Sequence, residues 1–285
     1  MRREALALVV LAVLLLFGWV GYQAMFGAGG QSPLLITSVE GDVRKVDGTG
    51  GTVAAVVGLR VGAQDRLSAA SGGRATLSLG ADTRLTLDEN SSIRVTAVND
   101  EEVKLELEGG KMQATVKKGG GKVGVASKGR EVQAVDADFS AGVSVDGTLA
   151  VEASRGDLSV TGVPGATSLA SGQRLVTAEG GSPLLSAVSD QLLLNVDWPE
   201  TRQRAEVVVV TGVTEPGARV LVTQGSTEVE ARANAKGEFT VRVALLEGEN
   251  RVKVRAVSVL GNSADIEHAL ERDTTPPTVG LEIRP

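Results

Sequence analysis

Few residues in this sequence could do chemistry. The 285 residues include no cysteine and a single histidine, His268. Zinc, haem or iron–sulfur ligation therefore lacks soft and imidazole donors, and nucleophile–histidine catalysis would have to run through His268 alone. Asp136, Asp138 and Asp146 could be joined as a calcium set, but the segment lacks the dense Asp/Asn spacing of calcium loops. Paired carboxylates suffice for glycoside hydrolysis and are plentiful. Walls for a sugar ring are not, because beyond residue 26 the only aromatics are Phe139, Trp198 and Phe239. Gly119, Gly121 and Gly124 match the dinucleotide-binding glycine pattern. That pattern needs a helix whose N-terminus meets the phosphates, whereas Val123 to Lys128 reads as strand and turn. No nucleophile elbow, Ser-x-x-Lys or phosphate loop occurs. The expectation is a non-enzymatic chain with no cofactor, no metal and no catalytic residue.

Two charged motifs remain. Lys111, Lys117, Lys118, Lys122, Lys128 and Arg130 form a basic run with no intervening acid. A hairpin accounts for the first two, and the others sit in glycine-rich turns, so solvated charge is the default reading. The alternative is contact with an anionic polymer through Lys117, Lys118, Lys122, Lys128 and Arg130. Arg155-Gly156-Asp157 has the form of an integrin ligand, yet a two-residue turn containing glycine explains it equally.

The elements that must position these residues begin with the N-terminus. Ala5 to Phe26 run 22 positions without a charge, a length that spans a hydrocarbon core as a helix at about 1.5 Å per residue. Arg2 and Arg3 precede it, and no Lys or Arg follows until Arg44, an asymmetry that places the N-terminus inside and the rest outside the cytoplasmic membrane. Trp19, Tyr22 and Phe26 mark the outer interface. The run is longer than a signal-peptide core and ends in aromatics where cleavage would need small residues. Residues 1–4 are too few to fold or to hold a partner protein. The net charge of −6 gives an acidic exterior that does not attract nucleic acid.

From Leu34 onward, short strands alternate apolar and polar residues between Gly, Asp, Asn and Ser turns: Ala75, Leu77 and Leu79, then Leu85 and Leu87, then Ile93, Val95 and Ala97. Strands at this spacing predict an all-β sandwich, barrel or roll. Gly109-Gly110 predicts a two-residue hairpin turn, with Glu108 facing Lys111, Leu107 facing Met112, Leu105 facing Ala114 and Val103 facing Val116. A second hairpin is predicted at Arg155-Gly156, pairing Ala153 with Leu158 and Val151 with Val160. The chain breaks around Leu184 to Gln203. Five further strands follow, over residues 206–211, 218–222, 228–233, 238–245 and 250–259, as a small antiparallel sandwich. Asp273-Thr274-Thr275-Pro276-Pro277 then stiffens the exit.

Two stretches resemble known families. Val39-Glu40-Gly41-Asp42-Val43, the segment from Gly58 to Leu67, Arg74 to Leu79, Asp82 to Leu87, Glu108-Gly109-Gly110 and Gly172-Gln173 follow in the order of the FecR-like extracytoplasmic domain, over Ile36 to about Val176. Asp136-Ala137-Asp138-Phe139 keeps only the Phe of a motif common in that family. Thr211 to Val220, Gly237-Glu238-Phe239, Glu247-Gly248-Glu249-Asn250 and Gly261-Asn262 resemble a bacterial Ig-like module. The resemblances imply a FecR-like β roll or sandwich at 34–180, a linker at 181–202, an Ig-like β-sandwich at 203–273 and an extended tail at 274–285, following a membrane helix at 5–26. Signalling members of the FecR family also carry a cytoplasmic segment that handles a sigma factor. The expected function is a membrane-anchored envelope scaffold or binding protein with an envelope protein or wall polymer as partner. The alternative is a signal-sensing regulator acting through another membrane protein.

Overall fold

A computed structural model describes residues 34–275, so the expected membrane helix and the end of the tail lie outside the described residues. Among the described residues the chain is all-β. The first unit holds β1 (Leu34–Glu40), β2 (Val43–Val46), β3 (Thr52–Ala54), β4 (Arg60–Val61), β5 (Arg66–Ala69), β6 (Arg74–Leu79), β7 (Thr83–Leu87), β8 (Ser91–Val98) and β9 (Glu102–Val116). It continues with β10 (Lys122–Ser127), β11 (Arg130–Ala134), β12 (Ala137–Val143), β13 (Leu149–Arg155), β14 (Leu158–Thr161), β15 (Ser168–Leu169), β16 (Gln173–Thr177) and β17 (Leu184–Ala187).

These strands form two sheets that share β9. One runs β4-β1-β6-β7-β9-β12-β13-β16-β17, the other β3-β2-β5-β8-β9-β10-β11-β14-β15. The alternation read from the sequence fills the space between them: Leu77, Leu85, Leu87, Ile93, Val95, Leu105, Leu107 and Met112 are each almost wholly buried. At about 1.5–3 kcal/mol per fully buried large aliphatic side chain, this layer is the main force holding the sheets together. The alternation slips at Ala97, where a bulge between Val95 and Ala97 inserts one residue and turns Val98 inward.

Both predicted hairpins are wrong as pairings, although their buried residues are right. The chain does not reverse at Gly109-Gly110. Val103, Leu105 and Leu107 pair with β8, and Met112, Ala114 and Val116 pair with β7 and β12. β9 is one long strand that passes from one sheet to the other. Gly110 makes the crossing, with φ +80°; a Cβ there would lie 2.5 Å from Asn90 O and from Ser91 Cα. Glu108 consequently faces Arg66 and Arg94, at 2.7 and 2.8 Å, rather than Lys111. Burial alone would raise its carboxyl, but hydrogen bonds from Arg94, Arg66 and Ser92 outweigh that and hold it below the usual range. After Arg155 the chain likewise changes sheet: β13 pairs with β12 and β16, and β14 with β11 and β15. A local turn signal reports a bend. It does not report which sheet the next strand enters.

The second unit holds β18 (Asn195–Asp197), β19 (Arg202–Gln203), β20 (Val207–Val213), β21 (Arg219–Gln224), β22 (Thr227–Arg232), β23 (Glu238–Ala244), β24 (Gly248–Val257) and β25 (Ser263–Arg272). Its sheets run β18-β20-β23 and β19-β25-β24-β21-β22 around Val210, Val220, Val222, Phe239, Val241, Val252 and Val254. Residues 181–202 contribute strands to both units: β17 lies against β16, and β18 against β20.

Candidate functional site

The two units meet along one face of β13 and β16. In these strands the two-residue alternation fails, because Leu149, Ala150 and Val151 are buried in succession, as are Arg174, Leu175, Val176 and Thr177. A strand apolar on both faces is covered on both. The inner face belongs to the first core. The outer face, Ala150 and Val176, packs against Leu260 and Val259 of the loop after β24. The approach is close enough that a Cβ on Gly142 would stand 3.0 Å from Val259 Cγ1 and 3.1 Å from Leu260 Cδ2.

Arg174 lies at the centre of this contact. Its side chain is 5% exposed, and its Nη1 donates to Glu215 Oε2 of the second unit at 3.1 Å. Nη2 donates to Glu152 Oε2 and to Asn262 Oδ1, both at 2.8 Å. Asn262 Nδ2 in turn donates to Ser189 O at 3.2 Å. One guanidinium thus joins β13, β16 and two loops of the second unit, using the planar fork that distinguishes Arg from Lys. Glu215 is buried, and its Oε1 has no hydrogen-bond partner. Burial pushes its carboxyl above the usual carboxylate range despite the pull of Arg174. A raised folded-state value means that its contribution to stability is complete at low pH and is lost as pH rises through that value. The stability of Glu215→Gln relative to the unmodified chain is therefore expected to increase with pH from about 4.3, the unperturbed glutamate value, and then to level off. Thermal denaturation between pH 4 and pH 8 checks this; a flat or falling difference would contradict it.

The structure disperses the basic run. Lys128 pairs with Glu179 at 2.8 Å, and Lys122 approaches Glu102 at 3.7 Å. Arg130 is buried, donating to Thr177 O and Gly147 O at 2.6 Å each. Lys117 and Lys118 lie in the exposed turn between β9 and β10. In the Arg-Gly-Asp tripeptide, Arg155 bonds Asp136 and Asp138 at 2.6 and 2.8 Å, and Asp157 accepts from Ser171 N at 3.1 Å. Asp146 bonds the hydroxyls of Ser144 and Thr148, so it stands apart from Asp136 and Asp138, which share Arg155. His268 stacks on Trp198 with ring centroids 4.9 Å apart. No group of three or more His, Asp or Glu side chains able to hold a metal occurs among the described residues.

Beside the Arg174 contact a cleft of about 410 Å³ opens between the units. Lys111 and the β12–β13 loop line it from the first unit, and Arg219, Arg232 and Val257 from the second. No sequence motif marks this site, because its residues come from both units and lie far apart in the chain.

Residues 65–159 match the FecR protein family. No curated protein matches the chain. Among solved structures, an anti-sigma-factor candidate from Parabacteroides distasonis is 18% identical with a TM-score of 0.37, over 43% of this chain. The match spans 59% of that structure's length. A bacterial ice-binding adhesin is 13% identical with a TM-score of 0.23, over 83% of this chain and 86% of the adhesin chain.

Proposed function

We propose that this chain is a non-enzymatic, signal-regulatory protein of the bacterial envelope. In this reading, residues 5–26 anchor it in the cytoplasmic membrane, a FecR-type β domain and an Ig-like sandwich stand outside, and the protein acts through another membrane protein. The match of residues 65–159 to the FecR family carries the reading. The uncharged apolar run and the arginines that precede it support the placement. A static scaffold or binding role for an envelope protein or wall polymer is the second reading. The buried contact around Arg174 favours it, because a fixed geometry between two β units suits presentation of a composite surface.

The test exchanges residues 6–26 for an unrelated apolar anchor in cells that carry the protein, and follows the transcripts that change when the protein is deleted. A relay through the membrane predicts that the exchanged chain stays in the membrane yet fails to restore those transcripts. Full restoration would favour the scaffold. A reporter that works only in the cytoplasm, found active when fused after Pro285, would overturn both.

A further inference from the structure

The outer face of β21 and β22 places two like charges in register. Arg219 and Arg232 are directly opposed across the strand pair, an arrangement that costs stability where an opposite pairing would add to it. Most cations on this sheet have a carboxylate nearby: Lys253 lies 3.6 Å from Asp265, and Arg255 3.8 Å from the same residue. Arg219 makes no ion pair or hydrogen bond through its side chain among the described residues, and Arg232 has only Glu230, at 3.7 Å. Both arginines point to the cleft between the units, where Lys111 joins them from the first unit. Lys111 is itself 3.9 Å from its nearest carboxylate, Asp88. The single acid lining the cleft, Glu89, accepts a hydrogen bond from Gly72 N at 2.7 Å. Positive charge therefore exceeds negative charge in a recess made only where the two units meet.

The rest of the wall combines valines with the polar Asn90, Ser144 and Ser258. Val145, on the β12–β13 loop, is 83% exposed at the mouth of the cleft, and Val257 and Val259 line the side formed by the second unit. No aromatic side chain lines the cleft, so nothing there offers a stacking surface to a sugar or a base.

We propose that the cleft between the two units binds an acidic peptide segment of a partner protein, its carboxylates held by Arg219 and Arg232 with Lys111, and an adjacent aliphatic side chain placed against Val145, Val257 and Val259. Guanidinium forks take carboxylates in two-point contacts, and the valines give a peptide side chain somewhere to go. A phosphate-bearing polymer would satisfy the charges and leave those valines in water. The inference concerns what the folded exterior binds, so it holds or fails independently of the membrane placement above.

The test uses the full chain solubilised in mild detergent and a capped hexapeptide alternating glutamate and leucine. The controls are the same peptide with glutamine for glutamate, and inorganic polyphosphate. Calorimetric titration is expected to show binding of the glutamate peptide, weakened about tenfold or more with glutamine, the equivalent of about 1.4 kcal/mol. The double variant Arg219→Ala/Arg232→Ala should weaken binding similarly. Without peptide it should melt no lower than the unmodified chain, because it relieves the opposed charges at exposed positions. Val145→Asp, also at an exposed site, should reduce peptide binding while leaving the fold intact. Binding that is unaffected by the double variant overturns the proposal. So does equal binding of the glutamine peptide, and so does polyphosphate binding more tightly than the peptide.

Discussion

Arg174→Ala is expected to destabilise the protein by about 3–5 kcal/mol, because it leaves buried Glu215 without its counter-charge. Glu152, partly exposed, keeps access to water, whereas Glu215 does not: their side chains are 23% and 6% exposed. The unpaired carboxyl can escape the penalty only by taking a proton, so the loss should be smaller at pH 5 than at pH 8. Denaturant unfolding at both pH values measures it. The double variant Arg174→Met/Glu215→Leu serves as the companion. Replacing a buried pair with apolar groups of similar volume is often neutral, and most of the stability should return. A single variant that loses less than about 1 kcal/mol at pH 8, within the range of exposed ion pairs, would show that the contact is not desolvated.

Gly110→Ala is the second large effect. Alanine at φ +80° costs about 1–2 kcal/mol in backbone conformation. Its Cβ would also lie 2.5 Å from backbone atoms of Asn90 and Ser91, so β8 or β9 must move. We expect a loss above about 3 kcal/mol, in the range of severe single substitutions. Gly109→Ala is the matched control. Nothing lies within 4 Å of a Cβ there and its φ is not positive, so the change should stay within about 1 kcal/mol. Equal effects at the two positions would contradict the account of β9 as a strand that crosses between sheets at Gly110.

These two residues mark what the sequence made legible and what it did not. Leu105, Leu107, Met112 and Ala114 are readable as buried from alternation alone, because side-chain parity along a strand depends only on the strand. Their partners are not readable, because pairing depends on where Gly110 directs the chain, and a glycine pair fits a hairpin and a crossing equally well. Leu149-Ala150-Val151 and Leu175-Val176 did carry a signal of the second unit: consecutive apolar residues in a short strand mean that both faces are covered. Arg174, immediately before such a run, was the available clue to a buried polar contact. Arg219 and Arg232 had no such marker. Their opposition follows from the register of β21 and β22, and their cleft from a contact between residues far apart in the chain.

If the Arg174 contact holds the two units as one body, the distance between them is fixed, and the absence of cysteine lets it be measured with two introduced labels. Spin labels on Ser168→Cys in the first unit and Thr240→Cys in the second, both exposed, report the distance between units by pulsed electron resonance. A single narrow distribution is expected in the otherwise unmodified chain, broadened when Arg174→Ala is added under conditions where both units remain folded. A broad distribution in the unmodified chain, or one that Arg174→Ala leaves unchanged, would contradict such a contact.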